Sequence, residues 1–187
     1  MARQHGVTCS TTSNLIIDSG AVYINYGESN ERKLGATRGG NTFMIEEEMR
    51  TMEFDGVRGQ MIGSHRLLGA IPKITANIVE WDFQTFLDLI PGSTKADIGT
   101  THYRITRTIQ TLASSLYLTN VAIVGECTAS ATNYVVCGIK NAVQLENIEL
   151  PFNDKDETVA SVTFSGCVPC NDLENEPWWI DYPQADA

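Results

Sequence analysis

Cys167 and Cys170 form a C-x-x-C pair, the pattern in this sequence that most resembles a chemical site. Redox use of such a pair requires a position at the start of a helix that follows a buried strand. Residues 171–177 make a poor helix, so the pattern does not favour redox chemistry. A zinc site would need Cys127 and Cys137 as further ligands, and their spacing does not resemble a second zinc-binding pair. We interpret the thiols as small apolar residues.

Other side chains that could do chemistry are scattered along the chain. Glu46 and Glu48 share one face of a predicted strand, but no second carboxylate segment is identifiable as their partner. The glycine motifs that bind phosphate groups are missing. The sequence therefore predicts a protein that is not an enzyme and that uses no metal or cofactor. The histidines lie in separate segments without a second ligand at metal-binding spacing: His5, His65 and His102.

The elements that must position these residues are mainly strands. Residues 72–78 alternate between apolar and polar side chains, and residues 158–166 do the same with Ala160, Val162 and Phe164 inward. One helix is predicted at about residues 82–90, begun by Asp82 and ended by Pro91 and Gly92. About eight strands around one flanking helix indicate a mainly β protein, a β-sandwich or barrel.

The composition suggests one domain with two arms. The sequence predicts an N-terminal arm at residues 1–13, a β domain at residues 14–170 and an acidic C-terminal arm at residues 171–187. Within the β domain, residues 27–41 are polar and rich in glycine, and they predict a long loop. The apolar positions change face just after Arg50, which predicts a bulge or corner there.

The charge of the chain excludes some functions. Its 187 residues carry a formal net charge of −10, which argues against a basic face that grips nucleic acid. Residues 146–187 contain ten acidic side chains and one basic one, so most of the negative charge lies in the last quarter of the chain. No apolar run is long enough for a membrane span, and the first residues lack a secretory signal. We expect a protein of the cytosol with reduced thiols.

Two adjacent aromatic residues near the end, Trp178 and Trp179, have two interpretations. The tail can fold back over its own domain, or it can contact another subunit, since Trp is common at both kinds of surface. An alternative function follows from the same residues. The chain would be a β-sandwich module that binds a ligand or a protein through this acidic, Trp-containing segment.

Three segments resemble a known family. Residues 34–59, residues 150–164 and the ending Glu176-Pro177-Trp178, in this order and with the helix between two β halves, resemble the major tail tube proteins of long-tailed bacteriophages. That family is related to the tube proteins of contractile tails and of type VI secretion. The resemblance implies hexameric rings that stack into a hollow tail tube, through which the phage DNA passes into the host.

The resemblance also implies partners and a location. The partners would be other copies of this chain, a tape measure protein, tail tip or baseplate proteins and a tail terminator protein. DNA would transit the lumen without specific binding, and no membrane is involved. The protein would be assembled in the cytoplasm of the host bacterium and would end in the tail of the virion.

In such a tube, polar strand faces are candidates for the lumen, because a neutral or acidic lining lets a DNA duplex slide. The candidate lumen residues are Glu46, Glu48, Thr75 and Asn77. The mixed charges of residues 27–41 suit contacts with an adjacent subunit. The candidate contact residues between subunits or rings are Glu31, Arg32, Lys33, Arg38, Trp178 and Trp179.

Overall fold

The computed structural model describes residues 20–128 and 134–183, together with residues 7, 11, 15 and 16. In these ranges it contains one α-helix, α1 (Phe83–Leu89), and a short 3-10 helix (Ser114–Leu116). The strands are β1 (Ala21–Ile24), β2 (Arg32–Lys33), β3 (Thr37–Thr51), β4 (His65–Ile78), β5 (Ser93–Ile98), β6 (His102–Arg107), β7 (Leu118–Glu126), β8 (Tyr134–Gln144), β9 (Ala160–Ser165) and β10 (Trp178–Asp181).

Antiparallel pairing joins eight of these strands in the order β2-β1-β7-β8-β9-β4-β3, with β10 on β8. Strand β8 connects the two halves of this sheet. Its first part pairs with β7 and β10, whereas Val143 and Gln144 pair with β9. Asn141 has a φ of 47° between these two parts. Strands β5 and β6 form a separate two-stranded sheet.

Side chains from both halves of the sheet enclose one core. Val22, Ile24 and Val121 come from one half and pack with Ile74 and Phe164 from the other. The alternation in the sequence explains the second half, because every inward residue of β4 from position 72 to 78 is buried. The predictions of inward side chains on β9 and of a mainly β protein with one flanking helix are confirmed.

Helix α1 begins and ends where the sequence predicts. Asp82 is its N-cap and accepts a hydrogen bond from the backbone N–H of Thr85. The buried side chains are Thr85 and Leu89, so the face that packs on the sheet is not centred on the phenylalanines. Phe83 and Phe86 are half-buried and contact the rings of Tyr103 and Trp81, respectively.

Residues 27–41 differ from the predicted long loop. They contain β2 and the beginning of β3. Gly39 and Gly40, with φ of 95° and 87°, accommodate extra residues of β3 between the pairs Thr37–Ile78 and Asn41–Ala76. This left-handed backbone lets the strand continue where the glycine content suggested a loop.

The irregularity predicted after Arg50 lies slightly earlier. Glu48 pairs with Gly69 and Met49 with Leu67, so Leu68 is the extra residue. The expected N-terminal arm at residues 1–13 and the last residues of the C-terminal arm, 184–187, fall outside the described residues, apart from residues 7 and 11. Within the described ranges, no helix is long and apolar enough to cross a membrane.

Candidate assembly surface

The four candidate lumen residues lie on one face of the β3–β4 hairpin. Thr42 pairs with Thr75, Met44 with Lys73, and Glu46 with Ile71. Since side chains alternate along each strand, Glu48 and Asn77 share the face of these pairs. The opposite face carries Phe43, Ile45, Pro72 and Ile74 and includes the core contacts.

The face of the hairpin that carries the four candidates, here called the outer face, contains half-buried polar groups that link strands and exposed polar groups. The hydroxyls of Thr75 and Thr163 are 3.1 Å apart, and Asn77 Nδ2 donates to the carbonyl of Gly40 at 3.0 Å. Thr75 and Asn77 are half-buried and hold neighbouring strands together. Glu46 and Glu48 are exposed, so they are the candidates that present charge to solvent.

Lys73 places a positive charge among these carboxylates. Its Nζ lies 2.8 Å from Glu46 and 4.0 Å from Glu146. The hydrogen bond with Glu46 raises the pKa of Lys73, so the ammonium is charged at neutral pH. Further along the hairpin, Arg50 lies directly opposite Arg66 in the strand register. This face and its border therefore carry equal numbers of carboxylates and cations, although the chain as a whole is acidic. The carboxylates are Glu46, Glu48 and Glu146, and the cations are Lys73, Arg50 and Arg66.

The outer part of the hairpin, residues 44–71, extends beyond the sheet. Strand β9 pairs with β4 only over residues 73–78, so β9 covers none of this distal hairpin. Exposed apolar side chains of this size on one projection are typical of an interaction surface. The exposed large apolar residues are Met44, Met49, Met52, Phe54, Val57, Met61, Ile62, Leu67, Leu68 and Ile71.

The charged candidates for subunit contacts have partners within the chain. Arg32 pairs with Asp88 on α1. Lys33 lies over the ring of Tyr23, with Nζ 5.7 Å from the ring centroid. Glu31 accepts a hydrogen bond from the backbone N–H of Gly27 at 2.7 Å. Their contacts with another subunit stay a prediction.

Arg38 bridges β3 to the acidic segment before β9. Its Nη1 lies 2.9 Å from Asp156 and 3.0 Å from Glu157. The hydrogen bond from Arg38 lowers the pKa of Asp156, and the two carboxylates raise the pKa of Arg38. All three side chains are exposed, so solvent screens the interaction.

Trp178 and Trp179 lie in β10, which pairs with β8 in the same chain. Trp178 is opposite Ile139, and Trp179 is opposite Gly138. Trp178 packs against the core, and its indole N–H donates to the carboxylate of Glu176. Of the two interpretations, the structure shows the tail over residues 178–181 folded back on its own sheet.

The cysteine pair lies after β9, which ends at Ser165, and a turn begins at Cys170. Burial raises the pKa of the Cys167 thiol, which lowers the thiolate fraction at neutral pH. Among the described residues, no three His, Cys, Asp or Glu side chains are grouped as they would be around a metal ion.

The distal hairpin was missed as a site in the sequence. Its apolar residues could have been found from the alternation of Met49 and Leu67 with Arg50 and Arg66. The sequence could not show that Arg50 lies opposite Arg66, because a bulge at Leu68 shifts the register of the two strands.

Comparison with solved structures finds a likeness to a chain of a phage-like tail. No protein-family model matches the chain, and no curated protein matches its sequence. A chain in a structure of the tail of an empty GTA particle, computed with helical refinement and C6 symmetry, has a TM-score of 0.39 to this chain. The two are 11% identical, and the match covers 81% of this chain and 92% of that chain.

Proposed function

We propose that this chain is a structural tail protein that assembles with copies of itself. Copies would form stacked hexameric rings, and the rings would form the hollow tail tube through which phage DNA passes. The observation that carries the proposal is the distal hairpin. It exposes ten large apolar side chains to solvent on one projection, which is unfavourable for a protein that works as a monomer.

The sheet offers a second feature suited to self-assembly. Strand β3 is the last strand on its side of the sheet, and it runs for 15 residues. A long exposed edge is a liability in a monomer, because it pairs with other strands. In a ring, the same edge becomes a joint between neighbouring copies, and a heterologous contact that repeats around an axis closes the ring.

Transit of DNA fits the outer face of the hairpin. Glu46, Glu48, Thr75 and Asn77 would face the lumen, and the nearby cations would be balanced by carboxylates. A lining without net positive charge releases few counterions from the duplex and therefore does not hold it. Besides other copies of the chain, the partners would be a tape measure protein, tip or baseplate proteins and a terminator, and the protein would reside in the virion tail.

The alternative of a binding module that uses the C-terminal tryptophans is less favoured. Trp178 and Trp179 are half-buried in contacts with β8 and the core, so little of either ring is available to a ligand. The contact roles of Arg32, Lys33, Arg38 and Glu31 remain part of the proposal.

Electron microscopy of the purified full chain tests the proposal. The wild-type protein should form six-fold rings or tubes at high protein concentration. A variant with Met49→Asp and Leu67→Asp, which changes two register partners on the distal hairpin, should stay monomeric while keeping its circular dichroism spectrum. Ile109→Asp, which changes an exposed apolar residue outside the hairpin, should assemble normally. A wild-type protein that remains monomeric after long incubation would refute the function.

A further inference from the structure

The hairpin of β5 and β6 stands apart from the main sheet. Its two strands pair only with each other, and no strand within the described ranges lies against either outer edge. Each strand has six residues, and only Ser93 and Ile105 among them are shielded from solvent. A two-stranded hairpin is at best marginally stable in water, and it gains stability from a third strand or a covering surface. The β5–β6 hairpin therefore has room for a further packing partner.

One face of this hairpin contacts α1. The ring centroids of Tyr103 and Phe83 are 5.0 Å apart, and Lys95 Nζ lies 4.4 Å from the centroid of the Tyr103 ring. On the opposite face, Ala96 and Arg104 lie opposite each other and are exposed. Helix α1 thus holds the hairpin from one side and leaves the outer edge of β6 unpaired.

A second unpaired edge belongs to β3 in the distal hairpin. Over residues 44–51 this strand pairs with β4 on one side, and no described strand lies on its other side. Neither this stretch nor β6 contains a proline, which is one of the residues that block strand edges. Each copy of the chain therefore carries two edges that can accept a strand, and in the monomer they do not pair with each other.

The charges on these two edges differ in sign. Residues 44–51 contain three glutamates and one arginine, whereas β6 contains two arginines and no carboxylate. Two β3 edges, or two β6 edges, would bring like charges together, which opposes pairing between strands. A β3 edge beside a β6 edge brings opposite charges together. The unpaired backbone makes a joint possible, and the charges determine which two edges form it.

Glu47 and Arg104 indicate the register of this joint. Glu47 lies on the face opposite the candidate lumen residues, and within the described ranges neither Glu47 nor Arg104 has an ion-pair partner. With these two residues opposite each other, an antiparallel addition places Met44 opposite Arg107. A parallel addition places Arg50 opposite Arg107 instead. The antiparallel orientation is favoured because it keeps the two arginines apart.

We infer that β6 of one copy adds to the β3 edge of a second copy in antiparallel orientation, with Arg104 opposite Glu47. This inference names the partner of the distal hairpin and rests on the proposed self-assembly. Backbone hydrogen bonds stabilise such a joint, and alternate side chains fix its register. The contact is heterologous, so each copy offers β3 to one neighbour and β6 to another, and the contact repeats from copy to copy.

Amide hydrogen exchange of the full chain tests the backbone pairing. On assembly, exchange should slow in residues 44–51 and in residues 102–107, because N–H groups at both edges become hydrogen-bonded. A contact through side chains alone would leave these amides exchanging as in the monomer. Protection of only one of the two segments would show that it joins a different surface, and would overturn the inference.

Charge reversal tests the register. Glu47→Arg and Arg104→Glu, made separately, should each need more than about tenfold higher protein concentration to assemble, since like charges then face each other. The double variant exchanges the two charges and should assemble at a concentration near that of the wild type. Glu149→Arg and Lys155→Glu, made separately, are the controls, because they make the same changes of net charge at exposed sites on other segments. Circular dichroism verifies that each variant folds.

The outcomes separate this inference from the proposed function. If the wild type assembles and either single variant at Glu47 or Arg104 assembles equally well, the joint is refuted and the proposed function stands. The same conclusion follows if the double variant fails to recover assembly. If the wild type forms neither rings nor tubes, both proposals fall.

Discussion

Arg32 joins two elements that are far apart in the sequence. Its Nε lies 3.0 Å from the carboxylate of Asp88, and the two side chains are only 24% and 14% exposed. The sequence predicted a contact of Arg32 with another subunit. It could not indicate Asp88 as a partner within the chain, because 56 residues separate the two and only the folded chain brings them together.

Replacement of Arg32 by Met should destabilise the monomer. Asp88 would keep its negative charge in a largely shielded position and would lose its cation, which costs about 1–3 kcal/mol. Urea unfolding measures this loss. Asp88→Asn and the double variant complete a cycle that isolates the coupling between the two side chains. If Arg32→Met leaves the free energy of unfolding unchanged but abolishes assembly, Arg32 acts between copies, as the sequence predicted.

Asp82 should stabilise α1 in a manner that depends on pH. Hydrogen bonds from Thr85, through its side chain and its backbone N–H, lower the pKa of Asp82. A lowered folded-state pKa means that the stabilisation is present above the unfolded pKa of about 3.9 and is lost as the pH falls through the folded value. Asp82→Ala should therefore lower the free energy of unfolding at pH 7 by about 1 kcal/mol, and by less at acidic pH.

Asp82→Asn is the matched control, because Asn is also a good N-cap but does not titrate. Its stability at neutral pH should be close to that of the wild type, and this variant should lack the contribution that titrates with Asp82. A difference between wild type and Asp82→Ala that stays constant down to the lowest pH at which both fold would contradict the role of the carboxylate.

At the scale of elements, the sequence predicted the helix and the strands whose own residues show a helical or an alternating pattern. Helix α1 has a cap and a stop signal, and β4 and β9 alternate between core and outside, so each could be recognised alone. Strand β2 has only two residues and shows no alternation. Strand β10 was ambiguous because Trp side chains favour burial without indicating whose surface buries them. Its partner, Gly138 on β8, has no side chain to signal the contact.

Gly138→Ala should therefore release β10. A Cβ at this position would overlap the ring of Trp179, so the strand must shift or detach. We expect a loss of about 1–3 kcal/mol in the free energy of unfolding, as for other overpacked sites. A red shift of Trp fluorescence and faster proteolysis after residue 170 would report the detachment.

Gly69→Ala on β4 provides the comparison for this variant. A Cβ there meets no atom within 4 Å, so the substitution should leave stability and fluorescence near those of the wild type. Equal behaviour of the two alanine variants would show that the tail does not depend on the close approach of Trp179 to Gly138.

At the scale of the whole molecule, the acidity of the chain is distributed differently from what the sequence indicated. The net charge of −10 is concentrated after residue 145, but the fold neutralises part of it. Asp156 and Glu157 pair with Arg38, and Glu146 lies near Lys73. Pairing between distant segments depends on topology, so composition alone could not show that the outer face of the hairpin is balanced in charge.

This balance predicts how the assembled protein treats DNA. Neither the monomer nor the tube should bind a labelled duplex at physiological salt, because no excess of cations faces the phosphates. The variant Glu46→Lys with Glu48→Lys would turn the outer face of the hairpin positive. We expect this variant to bind duplex DNA, with an affinity that falls steeply as salt rises. Fluorescence anisotropy of the labelled duplex measures both.

The position of the lysines should matter more than their number. Glu28→Lys with Glu149→Lys makes the same change of net charge at exposed sites away from the hairpin. If the face with Glu46 and Glu48 lines the lumen, tubes of the hairpin variant should retain the duplex, since each ring then presents its lysines around the same axis. Tubes of the Glu28 and Glu149 variant should release it. Equal retention by both would show that net charge, rather than the lining, governs DNA binding, and would remove Glu46 and Glu48 from the lumen.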